Sequence, residues 1–192
     1  MSRRVEILEE DPIFQEHIFT IKQARLRHEK FDGEMSEEIV RMSFERGDSV
    51  AAVLHNIKED TVLFTEQFRY PTVADGTGWM LELPAGVVET GEDPYETIKR
   101  ELIEEIGYEV GSLRPIGQFY VSPGGTSERI HLYYATVTES QQTGEGGGVV
   151  HEGENIRRVA IKVSEALLKI STGEICDAKT IIGLQWVQIN RR

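Results

Sequence analysis

Three glutamates near the middle of the chain, Glu101, Glu104 and Glu105, have the spacing of side chains that share one face of a helix. Like charges three and four residues apart repel one another, so we expect a cation among them. Carboxylate oxygens are hard ligands that suit Mg²⁺, with Mn²⁺ as the alternative. An isolated Glu-x-x-Glu-Glu pattern is more often a solvated acidic face. The neighbouring residues must decide between these two interpretations.

Residues 93–107 carry the signals of the helix that would position these glutamates. Asp93 suits the N-cap, Pro94 the first helical position, and Glu96 the third residue of a capping box. Gly107 is a suitable stop. A buried stripe is predicted because four apolar residues recur at helical spacing, namely Tyr95, Ile98, Leu102 and Ile106. The carboxylates lie roughly 100° round the helix from that stripe.

The whole stretch from Gly86 to Tyr108, GVVETGEDPYETIKRELIEEIGY, follows the spacing G-x5-E-x7-R-E-U-x-E-E-x-G-U, where U is a bulky aliphatic residue. Only Tyr108 departs, because it is aromatic. The stretch resembles the Nudix box of the Nudix hydrolases, and this resemblance favours a metal site over a solvated acidic face. It also implies that the carbonyl of Ala85 is a further metal ligand. Arg100 and Glu92 are implied to pair and to hold the loop on the helix, as residues that orient ligands.

A polar, glycine-rich segment, TESQQTGEGGGVVHEGEN at 138–155, is long enough that we expect it to be either disordered or functional. Nudix hydrolases of this kind carry catalytic acidic residues on the loop before the penultimate strand. The resemblance therefore implies that Glu152 is the general base and that Glu154 is a metal ligand on the loop. Glu105 and Glu104 are the alternative candidates for the base. A flexible acidic loop without a catalytic role is the other interpretation of this segment.

Segments outside the box are similar to bacterial ADP-ribose pyrophosphatases, namely 25–47, 64–69, 122–129 and 181–188. The resemblance implies metal-dependent hydrolysis of the diphosphate bond of ADP-ribose, which gives AMP and ribose 5-phosphate. The glycines 146–148 with VVHEGENI are also similar to the GDP-mannose and UDP-glucose hydrolases, so a GDP-mannose or other nucleotide-sugar pyrophosphatase is the alternative. A non-catalytic regulatory module that binds ADP-ribose is less favoured, because every carboxylate of the box is present.

The same resemblance assigns the substrate-binding residues. Arg69 matches an arginine at the substrate diphosphate, where a forked guanidinium suits phosphate oxygens. Arg41 matches a position that lines the adenine site, and Thr126 and Glu128 lie in a loop that approaches the terminal ribose. The position of the aromatic residue that stacks on adenine falls near Ile18, and a shift of one residue would place Phe19 there instead. Ordinary surface charges and a simple turn are the alternatives for these positions.

Strands mixed with separate helices indicate an α+β fold. The resemblance specifies a Nudix α/β/α sandwich with a small N-terminal β-sheet appendage. We place the N-terminal β region, for dimerisation and substrate binding, at residues 1–46, and the hydrolase domain at 47–192. Two or three strands cannot form a stable sheet alone. The N-terminal region must therefore pack on the main domain or on a second copy, and the resemblance implies a homodimer with exchanged N-terminal segments.

The net charge of −12 argues against a nucleic-acid partner, which requires a basic surface. A divalent metal on the acidic face would reconcile this charge with an anionic substrate. No apolar run has the length of a membrane span, and the N-terminus lacks the apolar core of a signal peptide. We therefore expect a cytoplasmic protein without a membrane partner.

Overall fold

The computed structural model describes residues 3–149, 151 and 153–190, and the chain divides into two compact units. The first unit comprises the chain up to Gly47 together with Tyr120–Arg129. The second comprises Asp48–Phe119 and the chain from Ile130 onward. The mid-chain segment Tyr120–Arg129 lies outside the N-terminal region predicted from the sequence.

The first unit is built on a three-stranded antiparallel sheet, in the order β1-β2-β3. Its strands are β1 (Val5–Glu16), β2 (Phe19–His28) and β3 (Ile39–Glu45). The connection between β2 and β3 contains Gly33, whose φ of 87° favours glycine over other residues. Every residue of β1 is exposed, so both faces of this edge strand are uncovered within the unit.

The second unit is built on a seven-stranded mixed sheet. Its strands are β4 (Ser49–Asn56), β5 (Thr61–Phe68), β6 (Trp79–Glu82), β7 (Ala85–Val87), β8 (Arg114–Tyr120), β9 (Arg129–Thr136) and β10 (Arg157–Lys162). The order is β10-β5-β4-β9-β8, with β6 paired to β5 and β7 paired to β4. The central strand β4 runs parallel to β9 and antiparallel to β5. The short strands β6 and β7 lead the chain directly into the stretch that resembles the Nudix box.

Three helices cover this sheet: α1 (Pro94–Ile106), α2 (Val163–Thr172) and α3 (Ala178–Asn190). Successive side chains of a strand point to opposite faces of the sheet, and β4 uses both faces. One set packs in a core with the apolar stripe of α1, namely Val50, Ala52 and Leu54 with Ile98, Leu102 and Ile106. On the other face, Gly183 of α3 lies so close to Val53 and Leu83 that a Cβ would overlap both. The predicted α+β fold, with helices packed on a mixed sheet and a separate small antiparallel sheet, is confirmed.

The two C-terminal helices differ in how they begin. Asp177 caps α3, because its Oδ2 accepts a hydrogen bond of 3.0 Å from the amide of Thr180. Helix α2 begins at Val163, with Lys162 as its N-cap residue and without a side-chain cap. No helix in the described part of the chain is long and apolar enough to cross a membrane.

Candidate active site

Helix α1 begins and ends at the predicted residues. The Oδ1 of Asp93 accepts a hydrogen bond of 2.7 Å from the amide of Tyr95, and Gly107 ends the helix with a left-handed φ of 70°. The predicted capping box is not formed by Glu96, whose carboxylate instead pairs with Lys99 at 3.2 Å. The helix that carries the candidate metal ligands is thus held at both termini by local sequence signals.

The glutamates of α1 do not form a solvated acidic face. Glu105 is only 2% exposed, and the side chain of Glu101 is 12% exposed, whereas that of Glu104 is 32% exposed. Buried carboxylates are rare unless something compensates their charge. The burial of Glu105, with Glu101 mostly shielded from solvent, therefore favours a site that binds a cation.

Glu105 is joined to the strand that precedes the box. The amide of Ala85 donates a hydrogen bond of 2.9 Å to the Oε2 of Glu105. Burial raises the pKa of Glu105 to about 8; the Ala85 amide opposes this rise, and the charges of Glu101 and Glu154 add to it. A carboxylate in this environment binds either a proton or a metal ion at neutral pH.

Glu101 lies against the backbone of the loop before the helix. A Cβ on Gly86 would overlap the Glu101 carboxyl group, so any other residue at this position would displace that side chain. Burial raises the pKa of Glu101 to about 7; the Arg100 guanidinium opposes this rise, and the charges of Glu104 and Glu154 add to it. A glycine at position 86 therefore lets the Glu101 carboxyl group lie against the backbone of this loop.

Arg100 contacts three of the nearby carboxylates. Its Nη1 lies 3.0 Å from Oε1 of Glu101 and 2.8 Å from Oε2 of Glu104, and its Nε lies 3.4 Å from Oε1 of Glu92. The Arg100–Glu92 contact that the resemblance implies is therefore present in the structure. Glu92 ends the loop before the helix, so this contact joins the loop to the first turns of α1.

Within residues 3–149, 151 and 153–190, no group of three or more His, Cys, Asp or Glu side chains converges closely enough to form a ready-made metal cage. Arg100 and the Ala85 amide already hold the oxygens of Glu101, Glu104 and Glu105. The donor set nonetheless fits a hard divalent cation, because it offers carboxylate oxygens whose mutual repulsion is not fully neutralised.

The described part of the glycine-rich segment is bound to the C-terminus of α1. The amides of Gly147 and Gly148 donate to the carbonyls of Glu105 (2.9 Å) and Glu104 (3.0 Å), and the Arg158 guanidinium donates to the Ile106 carbonyl (2.7 Å). These carbonyls have no partner within the helix, so the segment satisfies groups that would otherwise be unpaired. The loop is thereby attached to the same helical turn that carries the glutamates.

Two loop glutamates were predicted to take part in catalysis. The Oε2 of Glu154 accepts a hydrogen bond of 2.8 Å from the amide of Val149. Glu154 also lies close enough to Glu101 and Glu105 for its charge to raise the pKa of both. Glu152, predicted to be the general base, lies outside the described residues.

The aromatic residue that departs from the motif, Tyr108, is accommodated in the core. It is 7% exposed and belongs to the cluster around the α1 stripe. The guanidinium of Arg158 lies over its ring, 5.5 Å from the ring centroid. An aromatic residue therefore fulfils the packing role of the usual aliphatic one.

Arg69 is joined to a residue that the sequence analysis does not single out. Its Nε and Nη2 donate to the two carboxylate oxygens of Glu82, at 2.7 and 3.3 Å. Burial alone would raise the pKa of Glu82, but Lys179 and Arg69 hold it below its usual value. Two signals were available in the sequence: Glu82 is an acid within the apolar strand WMLELP, and Lys179 is a cation in a first helical turn, where it opposes the helix dipole.

Two of the predicted substrate residues lie on a strand and in a turn of the small sheet of the first unit. Arg41 on β3 is exposed, and its Nη1 donates to the Val40 carbonyl at 2.8 Å. Ile18 lies in the turn between β1 and β2 and is 57% exposed. The neighbouring Phe19 stacks on Phe44 with ring centroids 5.4 Å apart, so Phe19 is engaged within its own unit.

The other two predicted substrate residues lie in the mid-chain segment of the same unit. The hydroxyl of Thr126 donates to the Phe44 carbonyl at 2.8 Å and accepts from the Glu128 amide at 3.1 Å. A carboxylate oxygen of Glu128 lies 3.8 Å from Arg46. The structure thus brings the four predicted residues Ile18, Arg41, Thr126 and Glu128 into one unit, and the box residues, Arg69 and Glu154 into the other.

The fold, the buried glutamates of α1 and the glycine at the Glu101 contact define a Nudix hydrolase. A model of the NUDIX domain matches residues 45–181, so the chain belongs to this family. Nudix hydrolases generally use divalent metal ions, which agrees with the donor set of the site.

Individual relatives match the chain over nearly its whole length. The GDP-mannose pyrophosphatase of Escherichia coli O1:K1 / APEC is 37% identical over 192 residues, which are 99% of this chain and 98% of that protein. The GDP-mannose pyrophosphatase of Shigella dysenteriae serotype 1 (strain Sd197) is 35% identical with the same coverage. A crystal structure of an ADP compounds hydrolase superposes with a TM-score of 0.73 at 20% identity, covering 98% of this chain and 97% of that one, which supports the fold.

Proposed function

We propose that this Nudix hydrolase cleaves the diphosphate bond of a nucleoside diphosphate sugar in a reaction that depends on Mg²⁺. The observation that carries the proposal is the buried Glu105 and the mostly shielded Glu101, in the same unit as the Arg69–Glu82 pair. Such a site offers oxygen ligands for a cation and a guanidinium for a phosphate.

The metal ligands in this proposal are Glu101, Glu104 and Glu105 with the carbonyl of Ala85, and Glu154 from the loop. Bound Mg²⁺, or Mn²⁺ in its place, would activate a water molecule and neutralise charge on the diphosphate. Glu154 already accepts a backbone hydrogen bond at the start of its loop, so its carboxylate is directed back toward the loop and not into bulk water.

Three roles remain for the other residues. Arg69 would bind the diphosphate, because a guanidinium with 40% of its side chain exposed keeps donors available beyond the pair with Glu82. Glu152 would act as the general base, with Glu105 and Glu104 as alternatives. Ile18, Arg41, Thr126 and Glu128 would contact the base and the sugar.

We propose GDP-mannose as the first substrate to test, because the full-length relatives at 35–37% identity are GDP-mannose pyrophosphatases. Cleavage of its diphosphate bond would yield GMP and mannose 1-phosphate. ADP-ribose, the substrate favoured by the sequence segments, is the second candidate. The homodimer with exchanged N-terminal segments and the cytoplasmic location stay predictions.

A screen of nucleoside diphosphate sugars tests the proposal. Each compound is incubated with the protein and Mg²⁺, and a phosphomonoesterase then releases phosphate only from the cleaved products. We expect release with GDP-mannose or ADP-ribose that is abolished by EDTA and restored by added Mg²⁺. Hydrolysis of none of the nucleotide sugars would contradict the proposal, and tight binding of ADP-ribose without hydrolysis would support the regulatory module instead.

A further inference from the structure

The second unit contains a group of four charged side chains, two of which are almost completely buried. Glu82 is 4% exposed and Lys179 is 8% exposed, although glutamate and lysine are among the residues least often buried. Both contact further charges, since Arg69 binds Glu82, and Asp177 lies 3.1 Å from the Nζ of Lys179. The four residues provide two positive and two negative charges, so the group is neutral as a whole.

Glu82 is the member that both cations share. The Arg69 guanidinium donates to both of its carboxylate oxygens, and the Nζ of Lys179 donates to Oε2 at 2.5 Å. Two-point contact between a guanidinium and a carboxylate fixes the plane of the guanidinium as well as its position. Lys179 in turn prevents the carboxylate from rotating away from Arg69.

The backbone around Glu82 is held by the sheet and by α3. Glu82 ends β6 and pairs with Thr65 on β5, the strand that leads to Arg69. The next residue, Leu83, donates its amide to the hydroxyl of Thr180 at 2.9 Å, and the amide of Arg69 donates to the Gly78 carbonyl at 2.6 Å. Glu82 is therefore a rigid support for the more exposed Arg69.

The geometry of the pair leaves Arg69 able to bind an anion. A guanidinium carries five N–H groups, and the contact with Glu82 engages two of them. The side chain of Arg69 is 40% exposed while that of Glu82 is 5% exposed, so the guanidinium lies between the buried acid and the solvent.

We propose that Glu82, locked by Lys179, is a positioning residue that orients Arg69 for the diphosphate of the substrate. The inference rests on the proposed function, because it presumes that Arg69 binds a diphosphate. Glu82 itself contacts no substrate in this proposal. Its effect on hydrolysis passes entirely through the guanidinium, and this distinguishes positioning from a general role in stability.

The test compares kcat and KM of Glu82→Gln, Arg69→Ala and the double variant on the nucleotide sugar that the wild-type enzyme hydrolyses. We expect Glu82→Gln to raise KM by on the order of tenfold with a smaller change in kcat, because the loss of a hydrogen bond between charged groups weakens binding by about this factor. Once Arg69 is alanine, the same substitution should change KM little further, which a double-mutant cycle measures. Glu66→Gln is the matched control, because Glu66 lies on the neighbouring strand β5 and its carboxylate pairs with Arg157 and not with Arg69.

Folding is checked by thermal unfolding of each variant. If Glu82→Gln does not fold, Glu82→Asp replaces it, since aspartate keeps the charge for Lys179 but is one methylene too short to reach Arg69. We expect Glu82→Asp to fold and to raise KM as well. An unchanged KM in a folded Glu82 variant, or effects of Glu82 and Arg69 that simply add, would overturn the inference while the proposed function stands. A wild-type protein that hydrolyses no nucleotide sugar would overturn both.

Discussion

The backbone amide of Ala85 donates a hydrogen bond to the carboxylate of Glu105, and this contact joins residues 20 positions apart in the chain. It links the first residue of β7 to the last turn of α1, across the loop that contains Gly91. The carbonyl of Ala85 and the side chain of Glu105 are both candidate metal ligands. One hydrogen bond therefore sets the distance between two parts of the proposed site before any cation binds.

Burial of Glu105 predicts a pH-dependent cost in stability for the metal-free protein. The pKa of Glu105 is about 8 in the folded protein and 4.5 ordinarily, so the folded state holds this proton more tightly than the unfolded state. Proton binding to Glu105 therefore contributes its full stabilisation of the fold below pH 4.5, and this contribution is lost as the pH rises to about 8. Glu105→Gln removes the charge and should raise the melting temperature in EDTA at about pH 9 by a few degrees, with little change at about pH 5. Calorimetry at both pH values measures this, and a variant less stable than wild type at the higher pH would contradict it.

The two loop glutamates should differ in their response to metal. If Glu154 is a metal ligand, Glu154→Gln should raise the Mg²⁺ concentration for half activity by about tenfold or more. If Glu152 is the general base, Glu152→Gln should lower kcat with little change in metal dependence. Metal titrations of both variants measure the difference. Reversed phenotypes would exchange the two roles, and two nearly normal enzymes would return the base to Glu105 or Glu104.

The first unit should mediate a homodimer. Strand β1 exposes a series of apolar side chains, namely Val5, Ile7, Leu8, Ile13 and Phe14, and exposed apolar patches of this kind mark interaction surfaces. Light scattering should therefore report about twice the chain mass of 21.7 kDa. Ile7→Lys should shift the protein toward the monomer, whereas Glu6→Lys on the same strand should not. A monomer with full activity at low concentration would rule out a site shared between two chains.

Ile18 offers a test of the base site. If its side chain faces the base, an aromatic residue there should tighten binding by up to about 1 kcal/mol through stacking. Ile18→Phe should therefore lower KM for the nucleotide sugar, as measured by steady-state kinetics, while Ile18→Leu should leave it unchanged. An unchanged or raised KM for the phenylalanine variant would place the base elsewhere.

The sequence predicted best those features that depend on neighbours along the chain. The Asp93 cap, the Gly107 stop and the apolar stripe of α1 lie within one short segment, where helical periodicity alone determines which residues share a face. The glutamates of the box were located for the same reason. Their burial was not predictable from spacing, because it depends on the strands and the loop that cover them.

Contacts between distant segments were missed because spacing along the chain does not encode them. Glu82 and Lys179 are 97 residues apart and meet only because α3 begins beside the end of β6. The amides of Gly147 and Gly148 bind the end of α1 through backbone atoms, which any residue possesses. The association of Tyr120–Arg129 with the first unit likewise follows from the topology and not from composition.

The most direct test of a metal-dependent hydrolase built on α1 is a comparison of Glu105→Gln with Glu96→Gln. Both residues lie on the same helix, but Glu105 is buried in the site, while the side chain of Glu96 is 62% exposed and pairs with Lys99. The measurement is kcat for the best nucleotide sugar at saturating Mg²⁺. Our account predicts a loss of about a hundredfold or more for Glu105→Gln with an intact fold, and wild-type activity for Glu96→Gln. A folded Glu105→Gln protein that turns over substrate near the wild-type rate would contradict it.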